Sequence, residues 1–263
     1  MSQKPVQPVM KPYMQGTLTD RNTIRDALAV LGIFALCVFV GFIVCTMAMF
    51  DNMFLRILVN GILELLMLFF FYNNGCNKGT ETVARSEIMQ ERTEKGLPVT
   101  EDERRTCYRK WKGFLIAFLG MLPVLICCIL LAVTTQRMQI GYGALPNWIS
   151  TLRRRVEIGS AIAYYSIPDP VTLEGVMRTI VRVMIMPVVA IVGANNKDAL
   201  LILERLSPLV VLLPVIAYGT GYTQGVALRN RVHTAIKKNE NKRKRKERKE
   251  RKKRAPREPE QLN

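Results

Sequence analysis

One run of the sequence constrains the fold more than any other feature: residues 27–50 are 24 consecutive residues without a charge. Only Gly32, Gly41 and Thr46 interrupt its Ala, Leu, Val, Ile, Phe, Cys and Met side chains. A helix rises about 1.5 Å per residue, so the run can cross a hydrocarbon core of about 30 Å. It exceeds the roughly 7–15 residues of a signal-peptide core, and a polar N-terminal segment (1–26) precedes it. The run therefore predicts an uncleaved transmembrane helix.

Further apolar segments follow it. Inside a bilayer every backbone amide needs an internal partner, so these segments are expected to be helices. The period-2 alternation of a membrane β-barrel is absent from the sequence. We therefore predict an all-α, polytopic membrane helix bundle, within which residues 27–72 form a hairpin and residues 113–228 a second transmembrane region. The five strong predicted helices are residues 27–50, 54–72, 113–134, 175–193 and 208–228, and a short or tilted segment, 156–171, would be a sixth.

The charge of the chain is segregated. The net charge is +17, and residues 229–263 alone hold 16 Lys/Arg against 5 Asp/Glu, which leaves +6 for the rest. Residues 73–112 form a second charged segment, a predicted loop with nine Lys/Arg and seven Asp/Glu. The high apolar content excludes a disordered chain, and six cysteines in 263 residues exclude a disulfide scaffold.

Orientation follows from the basic residues, which stay on the cytoplasmic side. This rule predicts that the tail (229–263), the charged segment (73–112) and the N-terminus are all cytoplasmic, in a multi-pass protein of the plasma (inner) membrane. Five crossings cannot satisfy all three assignments. A sixth crossing at 156–171 would satisfy them, and we favour it. The alternative is five crossings with an external N-terminus and an exported 73–112 segment, which leaves more Lys/Arg on the wrong side.

Five polar residues lie inside the predicted membrane helices. Arg56, Asn60 and Glu64 share one face, because their i, i+4, i+8 spacing drifts only about 80° around a helix. Arg178 and Arg182 repeat the i, i+4 spacing on another helix. A charge at the bilayer centre costs about 2.5–3.5 kcal/mol on insertion scales, so we expect Glu64 to pair with Arg182. The pair would be a structural salt bridge, which we favour, or part of a polar pathway for an ion, proton or small solute.

Other motifs are few. Gly221 and Gly225 form a G-x-x-x-G pattern that permits close helix packing. His233 is the chain's one histidine, and the sequence contains no C-x-x-C pair and no Walker A motif. We therefore expect no catalytic residues, no metal site and no cofactor, and predict that the chain is not an enzyme.

The tail is a dense basic run with thirteen Lys/Arg in residues 237–254. Glu240, Glu247 and Glu250 each precede a basic residue by four positions, the favourable helical order, so we predict that the last helix continues to near Pro256. Its predicted partner is anionic lipid headgroups, the ribosome or another RNA, or a protein. No aromatic residue follows Tyr222, which argues against sequence-specific reading of nucleic acid. The predicted anion-binding residues are Lys242, Arg243, Lys244, Arg245, Lys246, Arg248, Lys249, Arg251, Lys252, Lys253 and Arg254.

Three functions are consistent with this organisation. The leading interpretation is a non-enzymatic accessory or scaffold protein that acts through its tail and the 73–112 segment. The second is a small-solute or ion transporter that uses the intramembrane polar residues. The third rests on layout alone: an apolar bundle with a basic tail is similar to membrane insertases, in which case the tail would bind ribosomal RNA and Arg182 would line a hydrophilic groove.

Overall fold

The computed structural model describes residues 10–47, 52–135, 173–193 and 196–254. Every regular element in these ranges is an α-helix, which confirms the predicted all-α membrane helix bundle. In chain order the helices are α1 (Thr23–Met47), α2 (Met53–Glu94), α3 (Glu101–Arg105), α4 (Lys112–Thr134), α5 (Leu173–Met184), α6 (Met186–Val192) and α7 (Lys197–Arg254).

The chain is a multi-pass membrane protein by the length and composition of its helices. Among the described residues, α1, α2, α4 and α7 are long and apolar enough to cross a membrane. The pair α5 and α6 would add a fifth span if it crosses as one unit, but it is bent by 94°. The segment 156–171, predicted as a sixth crossing, lies outside the described residues.

The second helix is far longer than predicted. The hydropathy pattern placed its end at residue 72, but α2 continues to Glu94, so much of the predicted 73–112 loop is helical. The helix ends where Gly96 adopts a positive φ of 74°. There Gly96 N donates to Thr93 O and Leu97 N to Arg92 O, both at 3.0 Å, which is the Schellman pattern of a helix C-terminus. The helix α2 therefore ends at a glycine cap, and the charged residues after residue 72 do not end it.

The last helix begins earlier than predicted and includes the tail. It starts at Lys197 instead of residue 208, with Pro208 and Pro214 inside it. The side chain of Asn196 accepts a hydrogen bond from Ala199 N at 3.2 Å and so caps the first turn. The helix runs to Arg254, as the charge spacing of the tail predicts.

The helix predicted over 175–193 is two helices rather than one. The helix α5 ends and α6 begins on either side of Ile185, whose φ of −109° and ψ of 29° are not helical. Pro187 lies in the first turn of α6, where its missing N–H leaves no helical bond unmade. Proline therefore begins a new helix here instead of kinking one.

The chain divides into two compact units. We call Ile24–Phe71 and Ile116–Ala217 the apolar unit. Its exposed side chains include many large hydrophobic groups, such as Phe39 at 65%, Leu65 at 66% and Phe69 at 64%, as expected of surfaces that face lipid. Inside it, the rings of Phe34 and Phe71 lie 6.5 Å apart, and Gly120 packs against the backbone of Ala27.

The second unit, which we call the polar unit, contains Met1–Thr23, Tyr72–Leu115 and Tyr218–Asn263. Its core is a set of tyrosines. The rings of Tyr108 and Tyr222 stack with centroids 5.3 Å apart, and Tyr13 meets Tyr108 edge-on at 5.8 Å. Tyr222 and the adjoining Val83 are almost fully buried. The N-terminal arm (described over residues 10–23), the part of α2 after residue 72 and the part of α7 after residue 218 therefore share one core.

Candidate functional site

Arg56, Asn60 and Glu64 lie on one face of α2. Asn60 is fully buried; its side-chain nitrogen donates to Arg56 O at 2.8 Å and its oxygen accepts from the Cys45 thiol at 3.2 Å. Asn60 therefore joins α2 to α1 within the apolar unit. By contrast, Arg56 Nε and Glu64 Oε1 are buried and have no hydrogen-bond partner in the described part of the chain.

The predicted pair between Glu64 and Arg182 is wrong. Arg182 pairs instead with Glu204 of α7, at 2.6 Å from its terminal nitrogen and 2.8 Å from Nε. Hydropathy had placed the start of this helix at residue 208, which left Glu204 outside the membrane segment. The Asn196 cap was the local signal that places the helix start earlier and so brings Glu204 into the helix.

Glu204 is the centre of a buried charge cluster in the apolar unit, with only 3% of its side chain exposed. Arg178 Nε donates to Glu204 Oε2 at 3.1 Å, and the hydroxyl of Thr135 donates to the same oxygen at 2.6 Å. Arg178 also binds Glu174 at 2.9 Å. Among the described residues, two arginines and two carboxylates contribute a formal charge of zero to the cluster, which lowers the cost of burying these groups.

The bent pair α5 and α6 is held at both ends by charged side chains. Arg178 and Arg182 fix α5 to Glu204, while Gly193 at the end of α6 lies against the guanidinium of Arg56. A Cβ on Gly193 would lie 2.9 Å from an Arg56 nitrogen, and Gly193 has a positive φ of 87°. The last carbonyl groups of a helix attract a cation, so Arg56 is placed where it can stabilise the C-terminus of α6.

Gly221 and Gly225 lie at a backbone contact inside the polar unit. Gly221 faces the backbone of Tyr72, and Gly225 faces Gly79. From the other side, Gly75 meets the backbone of Tyr218. Small residues on both α2 and α7 thus let the two helices approach closely. The G-x-x-x-G pattern predicts the contact glycines of α7 but not those of α2.

A second polar cluster fixes α7 to α2 within the polar unit. Glu87 is buried and accepts from Arg229 Nε at 2.9 Å, and His233 Nε2 lies 2.8 Å from the same carboxyl group. The chain's one histidine therefore contacts a structural carboxylate. Within the described ranges, no group of three or more His, Cys, Asp or Glu side chains has the arrangement of a metal site.

The N-terminal arm is attached by a buried ion pair. Lys112 Nζ lies 2.7 Å from Asp20 Oδ2, and both side chains are at most 5% exposed. Burial favours the neutral acid, but hydrogen bonds from Lys112 and Thr23 outweigh it and lower the pKa of Asp20 below its usual value. Beside this pair lies a groove of about 870 Å³, whose lining includes Arg21, Arg85 and Asp102. Its lining side chains of both signs give it no clear preference for an anion or a cation.

The basic residues of the tail lie on the last part of α7. The described side chains of residues 237–248 are exposed. The contacts of Glu87 with Arg229 and His233 set the register of α7 along α2, and α2 ends seven residues beyond Glu87. Seven residues beyond Arg229 and His233, the positions of α7 that contact Glu87, lead to about residue 237, where the basic run begins. Most of this run therefore extends past the end of α2.

Comparisons with family models, with curated proteins and with solved structures find no match. Function has to be inferred from the residues and contacts of this chain, within the general class of multi-pass membrane proteins.

Proposed function

We propose that the chain is a non-enzymatic accessory or scaffold protein of the plasma (inner) membrane, which displays a rigid basic helix to an anionic partner in the cytoplasm. The observation that carries this proposal is the continuity of α7, a single helix from Lys197 to Arg254. One end of that helix belongs to the apolar unit and the other end holds the basic run.

The orientation is supported by the composition of the polar unit. The N-terminal arm, residues 72–115 and the tail belong to this one unit, which supports a location of all three on one side of the membrane. Together they hold most of the basic residues, which supports the cytoplasmic side. The number of crossings between residues 115 and 218 must then be even.

The bent pair α5 and α6 is best explained as a re-entrant or interfacial element. Its contacts are with Arg56 near the start of α2, Glu204 near the start of α7, and Gly41 in the second half of α1. These positions belong to the same end of the membrane helices, because a short connection joins α1 to α2. A pair that begins and ends there does not cross. Crossings by α1, α2, α4 and α7 then satisfy the charge distribution without a further crossing at 156–171.

The charge cluster supports a scaffold role over transport. Glu204 is already bound by two arginines and one threonine hydroxyl, so it is engaged in holding α4, α5 and α7 together. Buried ion groups of this kind best serve to fix helix packing and register.

Affinity capture from detergent-solubilised membranes tests the proposal. The full chain should retain a partner that the chain lacking residues 237–263 loses, while membrane insertion and yield stay unchanged. Removal of residues 255–263 alone is the matched control, because it leaves the basic helix and should keep the partner. An identical set of captured molecules with and without residues 237–263 would contradict the scaffold role.

One observation favours transport as the second candidate. Arg56 Nε and Glu64 Oε1 are buried polar atoms without hydrogen-bond partners on one face of α2. A water-filled path would solvate them. Modification of Glu64→Cys by a small water-soluble thiol reagent tests for such a path, with the lipid-facing Leu65→Cys as its control. Rapid modification of Glu64→Cys alone would support transport, and equal protection of both positions would remove this candidate.

A further inference from the structure

The basic run of α7 has no neighbour among the described helices. Up to His233, α7 packs on α2 through glycine contacts and the Glu87 cluster. Beyond the end of α2 at Glu94, the described side chains of residues 237–248 are all exposed. Residues 237–248 of the run are therefore accessible around the whole circumference of the helix, and the base of the run is fixed to the polar unit.

Its length carries most of the run beyond the reach of the bilayer. Residues 237–254 extend about 27 Å along the helix axis at 1.5 Å per residue. Electrostatic attraction to headgroups decays over a Debye length of about 8 Å at physiological ionic strength. The run has no apolar stripe that would draw the helix down onto lipid, since every residue from 237 to 254 is Lys, Arg, Glu or Asn. Only the start of the run could contact the headgroups of the protein's own membrane.

The side chains of the run suit a phosphate backbone. Thirteen Lys/Arg and three Glu in eighteen residues place positive charge on every face. The binding energy of protein interfaces is concentrated in Trp, Tyr and Arg side chains that fill well-packed pockets, and of these the run contains only Arg. Phosphates along a nucleic-acid groove attract a basic helix from several sides without base recognition.

We infer that residues 237–254 form a docking helix for the phosphate backbone of a structured RNA, held at a distance from the membrane. This inference rests on the proposed scaffold function and names the partner class of its tail. It assigns no sequence preference, in agreement with the absence of aromatic residues from the run.

Fluorescence anisotropy of a labelled RNA hairpin tests the inference. The full chain is placed in nanodiscs of neutral lipid and titrated at several salt concentrations. Binding should weaken linearly on a log–log salt plot, and removal of residues 237–263 should reduce affinity more than tenfold. Binding that does not depend on salt, or that survives the deletion, would overturn the inference.

Two matched variants test the position of the contact. One replaces four residues at the start of the run (Lys237, Lys238, Lys242 and Arg243) by Gln, and the other replaces the last four (Arg251, Lys252, Lys253 and Arg254) by Gln. Each removes four positive charges, so each should lower the magnitude of the salt slope by about 3. The inference requires the distal variant to lose at least as much affinity as the proximal one. A loss confined to the proximal variant would overturn it.

A further experiment with lipids distinguishes RNA from lipid headgroups as the source of the phosphate groups that the run binds. A fluorophore on Lys246→Cys should show no quenching by headgroup-located quenchers, with either neutral or anionic nanodiscs, and anionic lipid should not displace the RNA. Strong quenching in anionic nanodiscs would overturn the inference in favour of lipid. If RNA fails to bind but affinity capture still finds a protein partner that depends on residues 237–263, this inference is wrong while the scaffold function stands.

Discussion

Glu204 accepts hydrogen bonds from three side chains although it lies in the first turns of an apolar helix. Arg178, Arg182 and Thr135 all donate to its carboxyl group. The negative charge of Glu204 thereby compensates the positive charges of both arginines. The same contacts join α4, α5 and α7 at one point. The cluster shows why single charges in membrane segments are poor guides to function until their partners are known.

Replacement of Glu204 by Gln should destabilise the apolar unit strongly. It leaves two partly buried guanidinium groups without this carboxylate, and loss of one partner of a buried pair costs about 3–5 kcal/mol. Detergent-denaturation curves measure the change. The matched control is Glu174→Gln, since the Glu174 side chain is 36% exposed, against 3% for Glu204; it should cost less than about 1 kcal/mol. Equal losses in the two variants would contradict the central role of Glu204.

The ion pair of Asp20 and Lys112 should make the polar unit sensitive to acid. The pKa of Asp20 is lowered in the folded chain from its ordinary value of 3.8, so the unfolded chain binds more protons in acid. The pair's stabilisation is therefore complete above the ordinary pKa and is lost as pH falls through the lowered value. Melting temperatures between pH 7 and pH 3 measure this loss. The melting temperature of the double variant Asp20→Asn/Lys112→Met should fall less in acid than that of the parent chain. An equal fall would mean that other carboxylates cause the acid sensitivity.

The pairing of α2 with α7 depends on glycines at both surfaces. A Cβ on Gly79 would meet the backbone of Tyr222, and neither backbone can move without separating the helices. We expect Gly79→Ala to destabilise the chain by about 1–3 kcal/mol through overpacking. Gly61 of the same helix has no atom near its Cβ position, so Gly61→Ala should be neutral or stabilising by up to about 1 kcal/mol. Denaturation curves of the two variants test this, and equal destabilisation by both would contradict a specific packing role for Gly79.

The sequence predicted the existence of the helices better than their ends. Hydropathy located the apolar run of 27–50 because burial in lipid requires it. The end of α2 was missed because hydropathy reports the membrane boundary, whereas a helix ends where its backbone is capped, here at Gly96. The Glu204 cluster was missed for the same reason, since the start of α7 was read from Pro208 instead of the Asn196 cap. The bend at Ile185 was missed because one apolar run covers both helices, whereas Pro187 begins the second of them.

The two units divide the chemistry of the whole molecule. The apolar unit buries the Glu204 charge cluster, and the polar unit gathers the N-terminal arm, the middle segment and the tail around stacked tyrosines. In the proposed topology the bent pair is re-entrant, so the number of crossings is even and agrees with the positive-inside rule. Native cysteines are poor reporters of this topology: Cys76 and Cys107 are buried, and burial raises the pKa of the Cys107 thiol, which disfavours the reactive thiolate.

Engineered cysteines at exposed positions should reveal the topology directly. If α5 and α6 do not cross, Leu173→Cys and Asn196→Cys flank an element whose two ends lie on the same side, and Asn52→Cys between α1 and α2 shares that side. A membrane-impermeant maleimide should therefore label all three in intact cells. Lys95→Cys, just after α2 in the polar unit, should react only after the membrane is permeabilised. Opposite behaviour of Leu173→Cys and Asn196→Cys would mean that the bent pair crosses the membrane, and the polar unit could then face the cytoplasm only with another crossing between residues 135 and 173.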